Sequence, residues 1–272
     1  MELNKDIEDF DLVFLDLETT GLDVVTGDAI CEIGAFKVRN REIIDKFHTL
    51  VNPKKNMPKQ AYEVHKISDD DLKDAPFFEA IVNKLTNFLD NSVVCAYNVK
   101  FDIGFINDHL KDIHYASLSS PAIDILLMAR DVLKIPRYNL ETTAKYFGID
   151  CSGGLHRARE DALIAYAIFL KLLDILKEKG INKLYEYVSL YGLDNEVFKI
   201  QESKKIAICR EAIETETKLK VRYFSLANTI EEEKILPLRL MQENKFYHFL
   251  YQSQSEGAFR IKFNRVLDLE HI

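Results

Sequence analysis

The chain has no apolar run near the roughly 20 residues that cross a bilayer. Its first ten residues, MELNKDIEDF, are acidic and polar where a signal peptide is basic and then apolar. These absences predict a cytoplasmic protein with no membrane partner. Cysteine is scarce: Cys31, Cys95, Cys151 and Cys209 are widely spaced, with no C-x-x-C pair. That argues against a zinc ribbon and a disulfide scaffold and predicts reduced, mostly buried thiols. Positive charge is short too, with 36 Lys+Arg against 44 Asp+Glu and a net charge of -8. Residues 181–272 hold 14 of each sign, which leaves 22 basic and 30 acidic residues in the first 180, so the whole deficit lies there. An acidic front half fits a site built of metal-binding carboxylates, and attraction for phosphate must then be local rather than global.

What is present suffices for a large core: 272 residues, 47% hydrophobic and 11% aromatic, enough for one large domain or two small ones. The stretch Asp11 to Gly21, DLVFLDLETTG, organises the rest. Leu12 to Leu15 form a continuous apolar run, read as a strand buried on both faces that delivers its end to a site. Asp16 and Glu18 follow, two residues apart and therefore on one strand face, where like charges are costly to gather without a cation between them. A D-x-E at a strand end is also what many surface strands show, so the fragment alone leaves both readings open. Thr19, Thr20 and Gly21 then supply small side chains and a flexible backbone for a close ligand.

Along the chain, Ala29 to Arg39 and Glu42 to Val51 read as strands joined by a hairpin at Asn40-Arg41. Asn52 to Pro58 is a loop, and Ser68-Asp69-Asp70-Asp71 is a capped helix start. Phe77 to Leu89 is an amphipathic helix leading into a buried strand, Ser92 to Ala96. Asp102 opens the next helical pattern, either as a ligand at the carboxyl end of a strand or as a first-turn acid favoured by the helix dipole. Ala122 to Arg130 and Asn139 to Phe147 read as helices, the second closed by Gly148. Gly153-Gly154 then gives a flexible loop carrying His156, ahead of the apolar helix Asp161 to Lys177. That is a sensible mount for proton transfer, although a lone loop histidine is often simply exposed.

Together, DLETTG, the N-V-K-F-D of Asn98 to Asp102 and the H-R-A-R-E-D of His156 to Asp161 resemble the three motifs of the DEDDh exonuclease superfamily, the proofreading exonucleases of bacterial DNA polymerase III and their relatives. The likeness covers roughly residues 8–178, and Glu32-Ile33-Gly34, Val51 to Pro53 and His65 to Ile67 agree with it. It implies an RNase H-like mixed α/β sheet flanked by helices. It further implies that Asp16 bridges two divalent ions, that Glu18 and Asp161 hold the ion that binds the attacking water, that Asp102 supports the second ion, and that His156 is the general base. Hard oxygen ligands suit Mg²⁺ or Mn²⁺, and a histidine titrating near neutrality can take a proton from water. Thr19, Thr20 and Leu22 are then expected to line the terminal nucleotide's pocket, with contacts from His65 and Asn98. The chain departs from the pattern at Tyr97, where relatives usually have histidine, and at Lys66, where they often have glycine.

From about Lys205 the pattern changes. Gly180 to Lys204 reads as a helical connector and Lys205 to Glu214 as a helix. Leu219 to Phe224, Ile235 to Met241, Phe246 to Tyr251 and Phe259 to Val266 then alternate like short antiparallel strands. The last three resemble the WYL domain, a small Sm- or SH3-like barrel, although the chain has no tryptophan. Lys218, Lys220 and Arg222 share one strand face, as do Arg260 and Lys262, with Tyr247 and Tyr251 nearby. Cations interleaved with rings suit single-stranded nucleic acid, and equally describe a solvated sheet face.

The expectation is a 3′-to-5′ exonuclease domain at 1–179, a connector at 180–204 and a WYL-like barrel at 205–272, acting on DNA and releasing nucleoside monophosphates. RNA trimming of the oligoribonuclease type, or oligonucleotide sensing with little turnover, are the alternatives. A DNA polymerase partner is left open, since no obvious polymerase-docking tail is seen.

Overall fold

The computed structural model of the chain describes residues 3–151, 156–193, 196–243, 246–253 and 257–272. The loop residues Gly153, Gly154 and Leu155 lie outside the described residues. The chain divides into two compact units, Met1–Ile175 and Leu176–Ile272.

In the first unit, three strands form consecutively: β1 (Leu12–Thr19), β2 (Ile30–Arg39) and β3 (Glu42–Leu50). The predicted hairpin at Asn40-Arg41 is present, and both residues have positive φ, 49° and 66°, as a two-residue turn between twisted strands requires. Helices α1 (Lys59–His65), α2 (Asp69–Leu72) and α3 (Phe78–Leu89) lead to β4 (Val93–Ala96). Ser68 and Asp71 cap α2 reciprocally. Helix α4 (Val99–Asp112) is followed by β5 (Ala122–Asp124), α5 (Ile125–Val132), α6 (Leu140–Tyr146) and α7 (Ala158–Glu178). The strand order is β3-β2-β1-β4-β5, antiparallel on the β3-β2-β1 side and parallel through β1-β4-β5. This is a mixed sheet flanked by helices, as expected.

Two elements differ from the sequence reading. Ala122 to Asp124 is a strand rather than the start of a helix, because it pairs in parallel register with Val94 to Ala96. Helix α1, for which the sequence reading gives no element, follows directly on the loop that ends at Pro58, with no side-chain cap, and ends at a left-handed Lys66.

Helix α7 lies along the β1 face that carries the acids. Phe14 packs against Tyr166 and Phe169, with ring centroids 4.8 and 5.1 Å apart. Asp161 and Phe169 are eight positions apart and so share one side of the helix. At its N-terminal end α7 lies on Gly34 of β2, where a Cβ would fall inside the backbone of Ala158 and Arg159.

The second unit holds the end of α7, then α8 (Leu184–Tyr191), α9 (Glu196–Glu214), β6 (Leu219–Phe224), β7 (Ile230–Glu243), β8 (Phe246–Ser253), β9 (Ala258–Lys262) and β10 (Val266–His271). Helix α9 runs through the expected boundary at Lys205. The run Phe259 to Val266 splits around a 3₁₀ turn, Phe263–Arg265, giving a fifth strand. The order is β10-β6-β7-β8-β9, and among the described residues no pairing of β9 with β10 closes it. Where the sequence predicts a barrel, the structure has an open antiparallel sheet. Its long strand β7 pairs with β6 through Ile230 to Ile235 and with β8 from Ile235 onward, with an irregularity at Pro237. Ile206, Cys209 and Ala212 of α9 share one core with Phe249, Phe263 and Leu269. Among the described residues no helix is long and apolar enough to cross a membrane.

Gly34→Ala is expected to lower the unfolding free energy by about 1–3 kcal/mol, the usual cost of overpacking, because backbone rather than a flexible side chain must move. A urea titration checks this, and an unchanged midpoint contradicts the proposed close approach.

Candidate active site

The site is built where β1 outruns its parallel neighbour. Register with β4 ends at Phe14 opposite Cys95, so Asp16 and Glu18 project into the crevice beyond the strand ends, on the face that α7 covers. The pairing of β1 with β2 shifts between Glu18 and Thr19, a local irregularity at the point where side chains must be re-aimed.

Asp102 arrives, buried, from the first turn of α4. The turn before it depends on Asn98, which adopts φ 77° and donates its backbone N–H to Asp124 Oδ1 at 3.3 Å. Asp124 also caps α5, accepting the N–H groups of Leu126 and Leu127. Asp161 comes from the start of α7 and is buried. Its Oδ2 accepts the backbone N–H of His156 at 3.2 Å, while its Oδ1 is buried with no hydrogen-bond partner. His156 is exposed and left-handed, φ 67°.

Carboxylate oxygens of Asp16, Glu18 and Asp161 lie within 4.8 Å of one another. Burial raises the Asp16 carboxyl well above its ordinary value, and the charges of Asp102, Asp161, Glu18 and Glu32 add to it. Glu18 is pushed up to about 8, first by burial and then by Asp161 and Glu32, against the opposing charge of Arg157. Asp161 is pushed up to about 6 by burial, with the amide and ring of His156 holding it down. Burial also raises Asp102; its own amide and that of Leu17 oppose the shift, and Asp124 and Glu18 add to it. Clustered hard oxygens that resist ionisation, one of them a buried orphan, are a donor set suited to divalent cations.

The residues expected around the nucleotide are placed less uniformly. Thr19 donates its hydroxyl to Gly21 O at 2.5 Å, and Thr20 accepts the N–H of Ala29 at 3.0 Å and donates to Asp28 at 3.3 Å. Both are buried and pin the loop after β1, on which Leu22 is 84% exposed. His65 is buried, with Nδ1 accepting the N–H of Ile67 and burial lowering its pKa. It therefore braces α1 against the sheet. The two departures from the family pattern also acquire reasons. Tyr97 points to the α6 side, donating to Tyr138 O at 2.8 Å and meeting Thr143 at 2.6 Å. Lys66 occupies a left-handed position, φ 60°, of the kind glycine favours.

Sequence reasoning passed over the role of Glu32. It is fully buried on β2, opposite Glu18, yet its pKa is lowered. Burial acts to raise it but is outweighed: Arg157 donates Nε and Nη2 at 3.0 and 2.7 Å, His48 Nε2 donates at 2.8 Å, and the N–H of Ala158 donates at 3.1 Å. This one carboxylate ties β2 and β3 to the start of α7. The signal available in the sequence was the Glu-Ile-Gly triplet itself, which pairs the clamp with the glycine beneath α7.

In the second unit, Lys220 pairs with Glu232, Arg222 with Glu186, and Arg260 with Glu243. Lys218 and Lys262 are exposed.

Residues 13–169 match the model of the family described as Exonuclease, RNase_T. The chain is 36% identical over 211 residues to the DNA polymerase III subunit epsilon of Rickettsia typhi, covering 74% of this chain and 92% of that protein. It is 32% identical over 190 residues to the PolC-type DNA polymerase III of Thermotoga petrophila, where the match spans 70% of this chain but 14% of that longer protein. Among solved structures, the nuclease domain of 3′hExo, a DEDDh family member bound to rAMP, aligns with a TM-score of 0.56 at 17% identity over 62% of this chain and 94% of its own. Exonuclease X in complex with 5′ overhanging duplex DNA aligns at 0.50 and 22% identity, over 60% and 92%. These last two likenesses are of fold.

The raised carboxyls fix the sign of a pH effect. Carboxylates in an unfolded chain titrate near pH 4, so between about pH 4 and 8 the folded state of the metal-free protein binds more protons than the unfolded one, and stability falls as pH rises. The melting temperature without metal is expected to drop across that window, and Mg²⁺ or Mn²⁺ to raise it more at pH 8 than at pH 5. Thermal scans with and without each ion check this; a metal shift independent of pH contradicts it.

Proposed function

The chain belongs to the exonuclease family of 3′-to-5′ hydrolases, and from that premise we propose that it shortens DNA, single strands before duplex, releasing 5′-mononucleotides. The observation that carries the reading is the convergence of Asp16, Glu18 and Asp161 within 4.8 Å around a buried, unpartnered Asp161 Oδ1. Asp16 would bridge two divalent ions, Mg²⁺ or Mn²⁺, with Glu18 and Asp161 on one and Asp102 on the other. When bound, such ions stabilise the attacking and leaving oxygens of an in-line displacement at phosphorus.

The protein's own groups position the reactants and move the proton. An imidazole nitrogen of His156 takes the proton of the attacking water as the oxygen–phosphorus bond forms and the bond to the 3′-oxygen of the penultimate nucleotide breaks. The exposure of His156 at the edge of the cluster, with its amide tied to Asp161, favours that role. Leu22 and Asn98 would meet the terminal nucleotide, with Thr19, Thr20 and His65 shaping its pocket from behind; the exposure of Leu22 and Asn98 beside the strand ends and the burial of the other three support this.

We read residues 1–179 as the nuclease domain, 180–204 as its helical connector and 205–272 as a WYL-type module. Five antiparallel strands with the last beside the first, and a middle strand that changes partner, support that module. A part in sensing oligonucleotides would belong to it, with Lys218, Lys220, Arg222, Arg260 and Lys262 as its candidate contacts. The relatives named as polymerase subunits make a DNA polymerase a candidate partner.

Asp16→Asn and Asp161→Asn are each expected to abolish hydrolysis of end-labelled single-stranded DNA while the circular dichroism spectrum is kept. Wild-type turnover in either contradicts the ligand assignment. His156→Ala is expected to lower kcat by about 10² to 10⁴, the usual worth of a general base, and to change the pH–rate profile. An unaltered profile moves the base elsewhere.

A further inference from the structure

The sheet face bearing the acids continues across β2 and β3, and along it the sign of the charge reverses. Register runs Asp16 to Gly34 to His48, then Phe36 to Lys46. Side chains alternate along strands, so His48 and Lys46 stand on the acids' face, two strand spacings or about 10 Å from β1. The first turn of α7, seated on Gly34, brings Arg159 to the same place. Together they line a pocket of about 320 Å³, completed by Ala35, Phe36 and Phe47, with no carboxylate in its wall.

Two of these cations are available. Lys46 is exposed and has no carboxylate at ion-pair distance among the described residues. Arg159 meets Glu160 only at 3.8 Å, with 54% of its side chain exposed, a separation worth little at a surface. The alternatives fare worse. A larger pocket of about 480 Å³ in the same unit sets Asp28, Glu79, Asp108 and Asp112 against Lys54, His109 and Lys111, which repels a polyanion. In the second unit, three of the five candidate cations already meet carboxylates.

We propose that the pocket beside α7 is a phosphate site: Lys46 and Arg159 hold a backbone phosphate of the nucleic-acid strand whose end lies at Asp16, Glu18 and Asp161. The proposal rests on the exonuclease reading and deepens it. A unit with an excess of acids repels its substrate except where cations gather, and these cations gather next to the site.

The test is the full-length double variant Lys46→Gln/Arg159→Gln, with folding checked by circular dichroism and thermal scan. Three readouts are compared with wild type. On the p-nitrophenyl ester of thymidine 5′-phosphate, which has a phosphodiester but no strand, kcat/KM is expected to stay unchanged. On single-stranded DNA, KM is expected to rise several-fold at low salt, and its log–log salt slope to fall by about 0.7, the release expected for one lost phosphate contact. Fluorescence anisotropy of a labelled 12-mer reads the same slope without turnover. An unchanged slope in the anisotropy measurement overturns the pocket whatever the activity. If wild type cleaves neither ester nor strand yet the anisotropy slope falls, the phosphate site stands and the nuclease reading fails.

Discussion

The site depends on one close approach, the first turn of α7 lying directly on the backbone of β2 at Gly34. Two acids on β1 make only half a cluster; the third reaches them because a helix can come within backbone contact of a strand that has no side chain there. Glu32 holds that approach in place by accepting from Arg157, His48 and the N–H of Ala158 at once. The same helix is anchored further along by Phe14 against Tyr166 and Phe169. Core packing and catalytic geometry are thus two ends of one helix–sheet contact.

Apart from Asp124, which caps α5 and is raised by burial despite three amide donors, five buried or half-buried acids crowd this small region, and these five divide by hydrogen bonding. Glu32 accepts four donors and its pKa is lowered despite burial; Asp16, Glu18, Asp102 and Asp161 are short of donors and all raised. The contrast separates an acid that holds the fold from acids that wait for a ligand. Burial alone would not have made the distinction, since Glu32 is the most buried of the five.

The charge distribution poses the opposite demand. The carboxylates that suit cations repel the polymer to be cut, and the excess acid lies in the first 180 residues. On one sheet face Lys46 of β3 and Arg159 of the first turn of α7 gather beside the Glu32 clamp, which already occupies Arg157 and His48.

Residue type and spacing determined much of this protein. The apolar run before Asp16, the Asn40-Arg41 turn, the cap of α2 and the glycine closing α6 are local signals, and local signals survive in sequence because they act over a few bonds. Local pattern reads Ala122 to Asp124 as helix because its pairing partner, Val94 to Ala96, is distant in the chain, and it reads a single strand over Phe259 to Val266, where a 3₁₀ turn separates two. The sequence by itself determined the site's inventory, two acids sharing a strand face, one in a helix's first turn, and a histidine and an acid five residues apart. Only the tertiary structure decided that Asp16, Glu18 and Asp161 meet, that Glu32 is a clamp, that His65 faces inward and that three cations of the second unit are already paired. Each of these is a contact between residues distant in the chain, and proximity in space is set by packing rather than by spacing along the sequence.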